Sequence, residues 1–165
     1  MNPARLLLRL RPCAALAALA ALTVFSPALL AQGTTASAVD RGRYLVKIGG
    51  CNDCHTAGYT QNEGKVPEKD WLQGDALGWQ GPWGTTYATN LRLHFAGLTE
   101  AQWLQQARTM RSRPPMPWFV LREMTDADLK AVYAYMRQAG PAGRPAPAAL
   151  APGVAATGPV VRFPG

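Results

Sequence analysis

Cys51-Asn52-Asp53-Cys54-His55 decides how the rest of the chain is read. Two cysteines separated by two residues, with a histidine directly after, form the attachment signature of a c-type haem. The spacing has a physical reason. On a short turn opening into a helix, the two thiols reach the two vinyl groups of a porphyrin and form thioethers. The ring is then fixed to the chain, and the next side chain, His55, is aimed at the iron. Two other chemistries use the same pair. A structural zinc site takes four ligands, but outside the pair the chain offers only Cys13, in an apolar N-terminal stretch, and His94. A thioredoxin-like dithiol would sit beside a βαβ pattern, which is absent. Covalent haem is the reading that remains.

Upstream of the motif, residues 1–31 read as a secretory signal. Arg5, Arg9 and Arg11 make a positive start, and Cys13 to Phe25 is a nearly unbroken apolar stretch. Small residues then offer cleavage after Ala31 or after Ala38. The competing reading is a retained membrane anchor, since Ala14 to Ala31 is close to spanning length. Pro27 and the small residues favour cleavage. Both readings export the domain, and a periplasmic location suits haem attachment; membrane association is expected only if this segment stays. The chain of 165 residues carries a formal charge of +7, which falls to +4 when Arg5, Arg9 and Arg11 leave with the leader. That mild, scattered excess argues against a nucleic-acid-binding surface and suits docking with acidic redox proteins. The remainder is enough for one domain, placed at residues 39–139.

Val39, Leu45, Val46 and Ile48 line one side of a helix from Val39 to Gly49, with Asp40, Arg41, Arg43 and Lys47 mostly opposite. Gly42 weakens that helix, which points to close packing against another. Gly49-Gly50 ends it and frees the chain to turn into the haem motif. A second helix starts at Thr99, where Gln102 completes a capping box and Trp103, Leu104, Ala107 and Met110 form a stripe. It ends before Pro114-Pro115. A third starts at Thr125, with Asp128 at its third position and Met124 and Leu129 as a hydrophobic staple. Leu129, Val132, Tyr133, Tyr135 and Met136 form its apolar face as far as Gln138, and Gly140 stops it.

Between these helices, Thr56 to Leu98 shows little periodicity and many glycines and prolines. A structureless loop of that length is tenable only if it wraps a bound cofactor. Trp71, Trp79, Trp83, Tyr87 and Asn90 are its candidates for covering the porphyrin and bonding the haem carboxylates. From Gly140 to the end, residues 140–165 are rich in proline and alanine and cannot nucleate a core. They are expected to lie extended on the surface or to be disordered, with Val160, Val161 and Phe163 available to dock the end.

With His55 on one side of the iron, the candidates for the other are His94, Met110, Met116, Met124 and Met136. Met136 belongs to a core face, Met124 to the staple and Met110 to a helical stripe. Met116 lies in Pro114-Pro115-Met116-Pro117, where the flanking prolines stiffen an extended backbone, as a ligand delivered from a loop requires. A thioether favours ferrous iron and gives a higher potential than a second histidine would. The expected chemistry is one-electron transfer at a haem whose two axial positions are both filled.

In these features the chain resembles the class I c-type cytochromes, most of all monohaem members found beside exported dehydrogenases and oxidases. The resemblance runs from Arg41-Gly42-Arg43-Tyr44-Leu45 through the haem motif to Met124-Thr125-Asp126-Ala127-Asp128-Leu129 and on to Met136. It implies an all-α, cytochrome c-like domain wrapped around one covalent haem, with long loops and a Pro/Ala-rich extension. It also implies thioethers at Cys51 and Cys54, His55 as proximal and Met116 as distal ligand, and Gly42, Val132 and Tyr135 at the crossing of first and last helices. Pro67 falls where family members supply a carbonyl to the proximal histidine. Gly81-Pro82-Trp83-Gly84 and Asn90 resemble the loop over the haem carboxylates, whereas Leu91-Arg92-Leu93-His94-Phe95-Ala96 departs from its usual continuation.

Three functions compete. The first is an electron carrier between an exported dehydrogenase and a terminal acceptor such as a cytochrome or oxidase. The second is a tightly bound cytochrome subunit of a dehydrogenase. The third is a haem enzyme with an open or labile sixth site.

Overall fold

The computed structural model describes residues 27–164. The charged and apolar part of the expected leader, residues 1–26, lies outside them. Helix α1 is seen from Pro27 to Ile48, so it runs back beyond Val39 through Ala28, Leu29, Leu30, Ala31 and Gln32, all good helix formers. Among the described residues no helix is long and apolar enough to cross a membrane. Gly50, in the left-handed conformation, turns the chain directly into α2, Cys51–His55. The later helices are α3 (Leu91–Ala96), α4 (Glu100–Thr109), α5 (Val120–Glu123) and α6 (Asp126–Ala139).

The core forms where α1 crosses α6. Gly42 makes the crossing close: a Cβ built there would lie 2.8 Å from Cβ of Tyr135. Val46 from α1 meets Leu129, Val132, Tyr135 and Met136 from α6, with Phe95 of α3 and Trp103 and Ala107 of α4 completing the buried cluster. The rings of Phe95 and Trp103 are 4.6 Å apart, and the buried Trp103 indole N–H donates to the Leu129 carbonyl at 2.9 Å. This bond lets a large polar-tipped ring sit in the core without an orphaned donor. The ends of α4 and α6 follow the expected capping chemistry. Thr99 and Gln102 form the reciprocal box, Thr125 Oγ1 accepts from Asp128 N at 3.1 Å, and Gly140 (φ 65°) closes α6.

The expectation of an all-α fold holds only for this helical frame. Strands β1 (Gly78–Gly81) and β2 (Gly84–Tyr87) form an antiparallel hairpin pairing Trp79 with Thr86 and Gln80 with Thr85. Strand β3 (Val160–Arg162) adds parallel to β1, in the order β2-β1-β3. The sequence hides this sheet because glycines bracket the two hairpin strands and half of the pairing comes from the far end of the chain. The stretch from Thr56 to Leu98 therefore holds a hairpin, a 3-10 turn at Glu68–Asp70 and the short helix α3.

The residues after α6 run extended across the surface. Leu150 exchanges two backbone hydrogen bonds with Thr85, at 2.8 and 3.1 Å, before the chain reaches β3. Arg92, buried in α3, donates to the carbonyls of Ala139 and Gly140 and so satisfies the C-terminal end of α6. A cation there also meets the favourable end of the helix dipole.

Candidate haem site

One turn of α2 presents Cys51, Cys54 and His55 at i, i+3 and i+4, which places the three side chains along one face. All three line a cavity of about 400 Å³ whose walls are predominantly apolar. Leu45 and Val46 of α1, Phe95 of α3, Leu121 of α5 and Val132 of α6 contribute to them. Burial pushes the Cys51 thiol up to about 11 and raises Cys54 as well, so free thiols here would hold their protons. That is the reverse of a nucleophilic dithiol, which needs a lowered thiol pKa. Among the described residues no three His, Cys, Asp or Glu side chains are grouped to hold a metal ion, which leaves the zinc reading without its remaining ligands.

His55 is 8% exposed, and its Nδ1 stands 2.7 Å from the carbonyl oxygen of Thr89. A carbonyl only accepts, so Nδ1 carries the proton. Burial lowers the imidazole's affinity for a second proton, while the Thr89 contact opposes that shift. The ring is thus neutral, with an Nε2 lone pair available for a metal, and the Thr89 bond fixes its orientation and strengthens it as a donor. The expected partner, Pro67, is replaced: its carbonyl accepts from Asp70 N at 2.9 Å in the 3-10 turn.

Below His55 the chain is stitched together by buried groups. Thr56 Oγ1 donates to Asn52 Oδ1 and accepts from Leu72 N, both at 2.7 Å, and Gly74 N donates to the His55 carbonyl at 2.8 Å. Gly74 (φ 81°) is required here, since a Cβ would stand 2.7 Å from the Ala88 carbonyl oxygen.

Met116 also lines the cavity, on the segment between α4 and α5. Thr86 Oγ1 donates to the Pro114 carbonyl at 2.7 Å and ties that segment to the hairpin. The guanidinium groups of Arg122 and Arg111 lie 4.4 and 5.4 Å from the centre of the Trp118 ring. Met110, Met124, Met136 and His94 share the cavity wall. Of these, Met136 is buried in the core and His94 Nε2 is 3.1 Å from Gln106 Oε1. Arg113 is the only Lys or Arg among the lining residues, and no Asp or Glu is present.

The aromatic candidates separate. Tyr87 and Trp79 line the cavity. Trp83 does not: its indole donates to the Trp79 carbonyl at 3.2 Å and its ring meets Phe163. Asn90 is likewise engaged within the chain. Its Oδ1 caps α3 by accepting from Leu93 N, and its amide donates to the carbonyls of Ala142 and Arg144 at 2.8 and 3.0 Å. No polar group of Asn90 is left for a haem carboxylate. Trp71 packs edge-on against Tyr59 and donates to the Val66 carbonyl, away from the cavity. Thr89 is illegible in the sequence because it acts through its backbone oxygen, and Ser112, Arg113 and Ala149 sit in segments without a pattern.

An apolar cavity with two cysteines and a neutral imidazole on one helical turn fits a covalently held haem, which supplies a one-electron ferric/ferrous couple when bound. A family model described as cytochrome c matches residues 39–140. The chain is 31% identical over 125 residues to a nicotinate dehydrogenase subunit of Pseudomonas putida. That match covers 69% of this chain and 10% of the relative's length. No solved structure matches the chain. Motif, cavity and family match agree, and the chain belongs to the cytochrome c family, with haem c covalently bound at Cys51-Asn52-Asp53-Cys54-His55.

Proposed function

We propose that this cytochrome passes single electrons through a haem ligated by His55 and Met116, from an exported dehydrogenase to a terminal acceptor. The observation that carries the proposal is the shared cavity. His55 enters it from α2 with Nε2 unclaimed, and Met116 enters it from a separate, anchored segment. Met116 is preferred to His94 because the His94 imidazole already has Gln106 as a partner. Residues 1–31 then act as an export signal, and the mature protein works in the periplasm. With both axial positions filled by protein, small molecules are kept from the iron and the haem edge handles electrons alone.

The ferric spectrum tests this. It should show the thioether-to-iron charge-transfer band, and Met116→Ala should abolish the band and lower the potential. A high-spin ferric spectrum in the unmodified protein would instead favour a haem enzyme with an open sixth site.

A second reading, a tightly bound component of a dehydrogenase complex, is favoured by the likeness to the nicotinate dehydrogenase subunit. Co-purification with a large flavin, quinone or molybdenum protein would select it.

A further inference from the structure

The family match ends at residue 140, yet the chain beyond it is built into the haem cavity. Six prolines between Pro141 and Pro164 prevent a helix there, and no acidic residue is present. Such a segment holds its place only by docking. It docks at three separate places. At its start, the buried Asn90 amide grips the carbonyls of Ala142 and Arg144, next in sequence to the Thr89 whose carbonyl holds His55. In its middle, Leu150 and Thr85 exchange both backbone hydrogen bonds, and the neighbouring Ala149 forms part of the cavity wall. Gly84 permits that approach, because a Cβ there would stand 2.2 Å from the Leu150 carbonyl oxygen. At its end, β3 pairs with β1, and the Phe163 ring lies 6.1 Å from Trp79 and 5.4 Å from Trp83. Trp79 itself lines the cavity.

We propose that residues 147–164 are a wall of the haem pocket that positions Trp79 and keeps water from the haem, thereby raising its reduction potential. Ferric haem carries one more positive charge than ferrous haem. Replacing water by apolar groups therefore disfavours the oxidised state, the lever that burial exerts on haem potentials. Ala149 and Trp79 supply the apolar groups at the cavity wall, Phe163 backs the Trp79 ring from outside it, and the backbone bonds at Leu150 and Val160–Arg162 hold them. The inference rests on haem occupying this cavity and holds whichever residue is the sixth ligand.

The test compares the full-length holoprotein with a chain ending at Ala146, which keeps the Asn90 contacts. Haem content, measured after denaturation, should be unchanged. At a fixed ambient potential the reduced-to-oxidised ratio should fall about tenfold, equivalent to about 59 mV for a one-electron couple. A ratio within about twofold of the full chain would overturn the proposal. So would Arg162→Gln in the full chain reproducing the whole fall, since charge rather than water exclusion would then be the cause. Leu150→Pro, which removes the N–H bonded to Thr85, and Phe163→Ala serve if the shortened chain does not fold. Each should lower the ratio in the same direction, and no change in either would again overturn the proposal. The Met116→Ala spectrum tests the sixth ligand separately, so failure of one leaves the other standing.

Discussion

Gly42 lies so close to Ala131 that a Cβ built on it would stand 2.0 Å from the Ala131 carbonyl oxygen. Backbone on α6 cannot yield as a side-chain tip can, so Gly42→Ala must push α1 and α6 apart. The gain in helix propensity, about 1 kcal/mol, is smaller than the cost of overpacking a buried crossing, about 3 kcal/mol or more. Denaturant unfolding of the haem-loaded variant should show that net loss.

Thr56 links the haem helix to the segment beneath it through one hydroxyl, donating to Asn52 and accepting from Leu72 N. Thr56→Val keeps the shape and leaves the buried Leu72 N–H without an acceptor. The expected loss is about 1–3 kcal/mol, with Thr56→Ser restoring most of it. Equal unfolding midpoints for all three chains would show that the hydroxyl contributes nothing.

Arg92 is 8% exposed and bonds only carbonyl oxygens, those of Lys69, Ala139 and Gly140. Arg92→Leu should cost about 2–4 kcal/mol, because carbonyls at the end of α6 lose their donors and the helix dipole loses its cation. Hydrogen exchange should report the loss first in the last turn of α6.

Tyr135 provides a pH dependence. Burial, reinforced by the neighbouring Glu68, raises its phenol above the ordinary value of 10.0. Its O–H donates to Glu68 at 3.2 Å, while Arg43 holds the same carboxylate at 2.8 Å. In the unfolded chain the phenol ionises near 10, whereas in the folded protein it keeps its proton. The unfolded state therefore binds fewer protons above that pH, and stability falls as pH rises. Unfolding midpoints of the native chain should drop from below pH 10 to above it, and the drop should be smaller in Tyr135→Phe.

The haem motif is fully legible because its chemistry depends on residue types at a fixed spacing, and the three main helices because their caps and apolar faces repeat within a few positions. Gly42 stands out for a similar reason, as a costly residue inside a helical stretch. The sequence misleads where a polar side chain has more than one suitable partner. Asn90 is equally suited to a haem carboxylate or to a helix cap, and only the packed chain brings Ala142 and Arg144 to its amide.

By itself, then, the sequence determined that Cys51 and Cys54 carry haem, that His55 follows them, and that α1, α4 and α6 frame the domain. Each of these is set by side chains acting on near neighbours or on the cofactor. Tertiary structure alone decided that Thr89, 34 residues along, orients His55, that β1 takes β3 as its partner, and that Ala149 faces the cavity. The orienting oxygen and the strand pairing are backbone groups that every residue shares, and Ala149 faces the cavity only because those pairings seat its segment. No composition or period announces such contacts before the chain has folded.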